Sequence, residues 1–141
     1  MHRVRFRAYG HHNVISEHNT TIEITTEDFL TKTGTCIIGI KSSMNLKSFD
    51  DEIKHFAQRA DTVIILSLNV NGICEKISGY GDPGLTYEDS ISMVTRKSDY
   101  TCDRTLMVRA DKAASNLNHE FVEALKNDQA TIECEIVFLS K

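Results

Sequence analysis

The highest concentration of charged and reactive side chains lies in a nine-residue segment, Arg96 to Arg104. It holds three cations, two carboxylates, a tyrosine and a cysteine. Cations that converge at a strand end bind anions such as phosphate, and backbone N–H groups of a following turn add donors. The segment predicts an anion-binding site formed by Arg96, Lys97, Arg104 and the nearby Arg109. The alternative is a charged strand end in which Asp99 pairs locally with a cation.

Three arginines near the amino terminus form a second candidate site. Arg3, Arg5 and Arg7 alternate with apolar residues, so they share one face of a predicted strand. Such a row can follow a phosphate backbone, with Tyr9 or Tyr80 stacking on unpaired bases. The alternative is a solvated face, or an edge strand protected by its charges.

Three histidines in or beside the first loop are candidate metal ligands. Neutral imidazole is a common ligand, and His11, His12 and His18 lie within eight residues of one another. No carboxylate or thiol lies at motif spacing nearby, so exposed loop histidines are the alternative. The matching loop of the second half carries Asp82 and Asp89, which leaves open a mixed His/Asp site.

The cysteines predict reduced thiols rather than a disulfide framework, because the four have no C-x-x-C pairing. Cys102 is a candidate nucleophile, since adjacent cations lower the pKa of a thiol. No histidine is near it in sequence, and Thr31 occupies the matching position of the first half. The sequence therefore identifies no catalytic residue.

These candidates lie on a sequence that repeats itself. A shift of 71 residues aligns Tyr9-Gly10 with Tyr80-Gly81, and a shift of 68 aligns Ile38 with Leu106. A three-residue deletion in the second copy accounts for the difference. The repeats 1–70 and 73–141 each predict a β-β-β-α-β unit, and neither is large enough to bury a good core alone. One shared domain over residues 1–141 is expected.

Hydrophobic periodicity places the elements of both copies. The first copy predicts strands at Arg3–Tyr9, Thr20–Thr25, Cys36–Lys41 and Thr62–Val70, with a helix from Ser48; the second predicts strands at Ile73–Tyr80, Ser90–Arg96, Thr105–Ala110 and Thr131–Leu139, with a helix from about Asn116. Asn71-Gly72 predicts a two-residue type I′ hairpin between the copies. That register places Glu75 opposite Leu68, an acid on the buried side.

The predicted fold class is α+β. We expect two repeats related by a pseudo-twofold axis, with about eight mostly antiparallel strands forming a closed or partly open β-barrel beside two helices. A groove on such an axis is a common place for a ligand.

Composition excludes several classes of protein. The net charge of −4 argues against a nonspecific polyanion binder, although acids cluster in the helices and bases on the strands. No apolar run approaches the length of a membrane span, so we expect no membrane association and a cytoplasmic location. Neither a dinucleotide-binding nor a P-loop motif occurs, so no cofactor is expected.

The chain resembles an uncharacterised archaeal family, domain of unknown function 371. The resemblance is carried by Gly10-His11-His12-Asn13-Val14, by Cys36-Ile37-Ile38-Gly39 and above all by the stretch from Asp99 to Ala114. It spans nearly the whole chain and implies an archaeal cytoplasmic setting. It implies no activity, cofactor or catalytic residue.

Two functions stay open on the sequence. The first is a module that binds an anionic partner, RNA or a phosphorylated small molecule, through its arginines. The second is a small enzyme with a metal or acid/base site between the repeats, with Asp99 or His12 as the proton-transfer group. We prefer binding, because no set of nucleophile, base and orienting residue can be assembled. The sequence sets no oligomeric state.

Overall fold

The computed structural model describes residues 1–140, which form an α+β fold with two four-stranded sheets and two α-helices. In chain order the elements are β1 (His2–Tyr9), β2 (Thr21–Thr25), β3 (Ile37–Gly39), α1 (Asp51–Ala57), β4 (Val63–Val70), β5 (Ile73–Tyr80), β6 (Ser92–Arg96), β7 (Thr105–Met107), α2 (His119–Leu125) and β8 (Thr131–Leu139). The first sheet has the order β1-β8-β4-β5, and the second has the order β3-β2-β6-β7.

The long strands form because apolar residues alternate along them. In β1, Val4, Phe6 and Ala8 are buried while the arginines between them are exposed. The hairpin between β4 and β5 is confirmed, since Asn71 and Gly72 have φ angles of 53° and 82°. Both angles are positive, as a type I′ turn requires.

Each helix is short and follows a 3-10 turn. These turns span Leu46–Ser48 and Ala114–Asn116. The side chain of Asp50 accepts the N–H of Ile53, so it caps α1 where Ser48 was predicted to do so. Ser48 is instead the last residue of the 3-10 turn, and the cap lies two residues later, at Asp50. No helix within residues 1–140 has the length and apolar character that crossing a membrane requires.

The predicted barrel is wrong, because neither sheet among the described residues closes on itself. The sheets approach each other at two corners, and each corner is an isolated bridge, Tyr9–Ile40 and Tyr80–Val108. A barrel needs a continuous ladder at these places. Strand pairing is mostly antiparallel, as predicted, and the exceptions are the three-residue strands β3 and β7, which pair in parallel with β2 and β6.

One cluster of buried apolar side chains includes residues of both sheets and both helices. Around this cluster, a loop of each half is hydrogen-bonded to the helix of the other half. The N–H of His11, after β1, donates to Leu125 O at the end of α2, and the N–H of Asp82, after β5, donates to Ala57 O at the end of α1. A Cβ atom on Gly10 would overlap Leu125 O, so a side chain at that position would break this contact.

Candidate functional site

The arginines of β1 lie in a row on the exposed face of the first sheet, and each is in an ion pair. Arg5 Nε and Arg3 Nε lie 2.8 and 3.4 Å from Glu135 Oε2, and Arg7 Nη2 lies 3.0 Å from Glu133 Oε1. Both acids belong to the neighbouring strand β8. The hydrogen bond from Arg5 lowers the pKa of Glu135. Two carboxylates thus balance most of the charge of three guanidinium groups.

A cavity of about 710 Å³ borders this face near the β4–β5 hairpin. Its lining includes Arg5, Cys74, Lys76 and the charged pair Glu75 and Lys112. Lys112 Nζ lies 2.8 Å from Glu75 Oε1, and the Asn118 N–H donates to Oε2 at 2.6 Å. Both carboxylate oxygens of Glu75, the acid on the buried side of β5, therefore accept a hydrogen bond.

The pKa of Glu75 reflects opposing effects. Burial raises it, but the hydrogen bonds from Lys112 and Asn118 together with the Lys112 charge outweigh burial, so the pKa lies below its ordinary value of 4.5. The side chain is only 9% exposed. Glu75 is therefore held in its charged form.

The cations from Arg96 to Arg109 form a second basic group. We call Arg96, Lys97, Arg104 and Arg109, with Tyr100, the basic surface. The Ala110 N–H donates to Arg96 O at 2.9 Å, which brings Arg109 beside the end of β6.

Two guanidinium groups in this region lie over tyrosine rings. Arg96 Cζ is 4.9 Å from the ring centre of Tyr100, and Arg109 Cζ is 4.5 Å from that of Tyr80. Tyr100 is 59% exposed. A planar cation on an exposed aromatic ring is an arrangement that nucleic-acid bases stack on.

The charge of the basic surface is largely uncompensated. Among residues 1–140, none of its four cations has a carboxylate within 4.0 Å. Asp99 and Asp103 lie on the same segment and are exposed. The alternative interpretation, in which Asp99 pairs locally with a cation, is not formed among the described residues. With these two acids counted, the segment from Arg96 to Arg109 carries a net charge of +2.

Cys102 lies beneath the basic surface. Arg96 Nη2 donates to its Sγ at 3.4 Å, and Arg96 Nε donates to Thr105 Oγ1 at 2.8 Å. Partial burial raises the pKa of Cys102, but hydrogen bonds from Thr105, the Arg104 N–H and Arg96 outweigh it and lower the pKa. No histidine contacts this thiol among the described residues, so it lacks the base that a nucleophile requires.

The predicted turn beyond β6 contributes fewer donors than expected. The Tyr100 N–H already donates to Ser98 Oγ at 3.3 Å. No helical turn forms at 98–100, so a helix N-terminus does not assist anion binding here. The basic surface consists of side chains.

Two of the three predicted histidine ligands meet a carboxylate from the other half of the chain. His11, His12 and Asp128 place one potential ligand atom each within 4.8 Å of one another. His12 Nδ1 is 2.9 Å from Asp128 Oδ1, and the His12 N–H donates to the same oxygen at 2.8 Å. The hydrogen bonds from the His12 side chain and N–H lower the pKa of Asp128.

The remaining predicted ligands have other partners. His18 lies outside the cluster, because its Nδ1 accepts the N–H of Thr21 at 3.2 Å at the start of β2. Asp82 accepts the Gly84 N–H, and Asp89 accepts the Ser92 N–H. His11 Nδ1 likewise accepts the Asn13 N–H at 3.0 Å, and a metal at that atom would replace this hydrogen bond.

Comparison with known proteins identifies the family. A family model described as a domain of unknown function (DUF371) matches residues 6–139. The chain belongs to the DUF371 family. It is also similar to the uncharacterized protein MJ0206 of the archaeon Methanocaldococcus jannaschii, at 43% identity over 126 residues that cover 89% of this chain and 93% of that protein. For a DUF371 chain, function has to be argued from the site.

Sequence reasoning assigned no role to four residues of the candidate sites, Glu75, Tyr100, Lys112 and Asp128. Asp128 lies 116 positions from His12, and Lys112 lies 37 positions from Glu75, so spacing gives no sign of either contact. Glu75 did carry a signal, because an acid interrupts the apolar side of β5. Tyr100 was part of the charged segment but not assigned a stacking role.

Proposed function

We propose that this protein binds an anionic partner through the basic surface, and that the partner is single-stranded RNA. The observation that carries the proposal is the contrast in charge compensation. Arg3, Arg5 and Arg7 are ion-paired with Glu133 and Glu135, whereas the four cations of the basic surface have no acidic partner among residues 1–140. Uncompensated cations gain the most from a phosphate.

The exposed ring favours RNA over an isolated phosphate. Tyr100 offers a flat apolar surface, and Arg96 beneath it fixes the ring by a cation–π contact. Single-stranded nucleic acids bind where cations follow the backbone and aromatic rings stack on the bases. A phosphorylated small molecule would use the same cations and need less of the ring.

Fluorescence anisotropy with a labelled eight-nucleotide RNA tests the proposal. We expect binding that weakens with salt, with a log–log slope of about −0.7 for each phosphate contact. Arg104→Ala is expected to make the slope less negative by one contact, about 0.7. Tyr100→Ala is expected to cost about 1–3 kcal/mol, the usual value for one stacked base.

Arg7→Ala is the matched control, because it removes an arginine that is paired to Glu133. It should leave affinity and slope unchanged. If Arg7→Ala weakens binding as much as Arg104→Ala, the β1 row contributes equally and the argument from charge compensation is wrong. Competition by inorganic phosphate or ATP at equal phosphate concentration would indicate a phosphorylated small molecule. Absence of RNA binding at low salt would overturn the proposal.

Metal binding is a second candidate, favoured by the cluster of His11, His12 and Asp128. Two imidazoles and one carboxylate suit Zn²⁺ or Ni²⁺, with water completing the coordination. Isothermal titration with Ni²⁺ should give one site that His12→Ala and Asp128→Asn both abolish. His18→Ala is the control and should bind normally. Equal binding by all variants would exclude this site.

We also propose that the two halves descend from one duplicated unit. Its support is that counterpart elements begin 71 residues apart for β1 and β5 and 68 apart for α1 and α2. The pseudo-twofold relation predicted from the sequence belongs to the same proposal, which superposing the two halves would test.

A further inference from the structure

One long edge of the first sheet is only partly paired. β1 pairs with β8 on one side, and the backbone groups of alternate residues face the other side. Tyr9 exchanges hydrogen bonds with Ile40 there, and Arg7 exchanges them with Ser43. By the same alternation, the N–H and C=O groups of Arg3 and Arg5 face outward. Within residues 1–140 these groups have no hydrogen-bond partner.

A groove runs along this unpaired edge. Its volume is about 330 Å³, and its apolar lining is Val4, Met44, Phe49 and Ile53. It separates the strand edge from the 3-10 turn and the first turn of α1. A strand edge beside a helix with an apolar groove between them is the geometry in which extended peptides add as an extra strand.

The matching edge in the other half differs at the counterparts of Val4 and Met44. Glu75 and Lys112 stand 71 and 68 positions after Val4 and Met44, and they form an ion pair at the edge of β5. The β5 edge therefore presents charge where the β1 edge presents apolar side chains. This difference makes the β5 edge a control within the same molecule.

The chemistry of the occupant can be taken from the strand that already pairs with β1. On β8, Glu133, Cys134 and Glu135 lie opposite Arg7, Phe6 and Arg5 in turn. The acids meet arginines on the exposed face, and the residue between them points inward. An occupant of the free edge would follow the same pattern, acid–apolar–acid.

Charge supports this occupant and opposes a second copy. Arg3 and Arg5 share the single carboxylate of Glu135, and their side chains are 44% and 70% exposed. One positive charge is therefore available to an incoming acid. Antiparallel pairing of two β1 strands would place arginines opposite each other, which is unfavourable.

We infer that the free edge of β1, between Arg3 and Arg5, accepts an extended peptide of alternating acidic and apolar residues as a fifth strand of the first sheet. The backbone of Arg3 and Arg5 hydrogen-bonds the peptide. One apolar side chain of the peptide enters the groove of Val4, Met44 and Phe49, and the acids on either side of it face the two arginines.

Hydrogen exchange measured residue by residue tests the inference. The probe is a fluorescein-labelled peptide, Gly-Glu-Leu-Glu-Leu-Glu-Gly, and its Lys-for-Glu version is the charge control. We expect the acidic peptide to slow exchange of the Arg3 and Arg5 amides and to leave Cys74 and Lys76 on the β5 edge unchanged. Slowing on the β5 edge instead, equal binding of the lysine peptide, or no binding at millimolar peptide would overturn the inference.

Two substitutions separate backbone from charge. Arg5→Pro removes an outward N–H that an edge strand can lose, and it should abolish peptide binding, whereas the counterpart Lys76→Pro should not. Arg5→Gln keeps the N–H and should weaken binding by about two- to fivefold. Should Arg5→Pro misfold, the exchange data on the unaltered chain decide alone. The exchange rates of the Arg3 and Arg5 amides should also be measured without peptide. If these rates fall as the protein concentration rises, the edge is covered by self-association and the inference is overturned.

Discussion

The ion pair of Glu75 and Lys112 is open to a quantitative test, because the other half of the chain shows what replaces it. Val4 and Met44 occupy the counterpart positions. We therefore expect the double variant Glu75→Val/Lys112→Met to fold with a free energy of unfolding within about 1 kcal/mol of the unaltered chain. Replacement of a largely buried ion pair by apolar residues of similar volume is often neutral or stabilising.

Each single variant should be less stable than the double. Glu75→Val leaves the Lys112 ammonium and the Asn118 N–H without their acceptor. Lys112 is 33% exposed and recovers some hydration, so the expected cost is about 1.5–3 kcal/mol, the usual value for hydrogen bonds to charged groups. Lys112→Met removes one of the two hydrogen-bond donors to Glu75 and leaves the Asn118 N–H. Because the Glu75 side chain is only 9% exposed, we expect this variant to lower the free energy of unfolding by about 2–4 kcal/mol.

Urea unfolding followed by circular dichroism gives the four free energies of the double-mutant cycle. We expect a coupling energy of at least about 2 kcal/mol in favour of the pair. If the double variant loses the sum of the two single effects, the pair is not a unit and the comparison with Val4 and Met44 is wrong. Unchanged m-values would show that the variants unfold from equally compact states.

The pH dependence provides a second measurement on the same variants. The folded-state pKa of Glu75 is lower than its ordinary value of 4.5, so its contribution to stability is present above that value. The contribution is lost as the pH falls from about 4.5 through the lower folded-state pKa. Other carboxylates also titrate there, so the difference between the unaltered chain and the double variant is the quantity to follow. A difference that stays constant from pH 6 to pH 3 would contradict the assignment.

Further measurements address the packing and the thiols. Gly81→Ala would force a Cβ atom onto Ala57 O, and we expect it to lower the free energy of unfolding by about 1–3 kcal/mol; an unchanged melting temperature would show that the contact relaxes freely. Burial raises the pKa of Cys36 to about 11 and that of Cys134 to about 12, whereas that of Cys102 is lowered. Iodoacetamide at pH 8 should therefore alkylate Cys102 before these two, as peptide mass spectrometry would show; the reverse order would contradict the pKa order.

Much of the first sheet could be predicted from the sequence, because its strands are long and alternate. The Asn71-Gly72 turn determines the β4–β5 register, and the predicted pairing of Leu68 with Glu75 is confirmed. The second sheet was harder, since β3 and β7 have three residues each and show no period. Their parallel partners are close in sequence, as Glu23 and Ile37 show, but strands this short carry no pattern that gives their direction. The barrel prediction failed at the two corners, where the sheets meet only through isolated bridges.

The candidate sites were likewise only partly predictable from the sequence. Alternation correctly predicted that Arg3 and Arg5 share an exposed face, but their partner Glu135 is 130 residues from Arg5. An ion pair across two strands depends on which strands are neighbours, and spacing does not give that order. The charged segment at Arg96 was visible because all its groups are local. That its cations have no acidic partner could be seen only from the structure.

The pairing of the first and last strands has a consequence for how the chain can be connected. His2 lies opposite Phe138 in the same antiparallel manner as Val70 lies opposite Ile73 across the hairpin. A short linker from the end of β8 to the start of β1 would make a second hairpin there. The chain could then be opened at Asn71-Gly72, giving a circular permutant in which every strand keeps its neighbours.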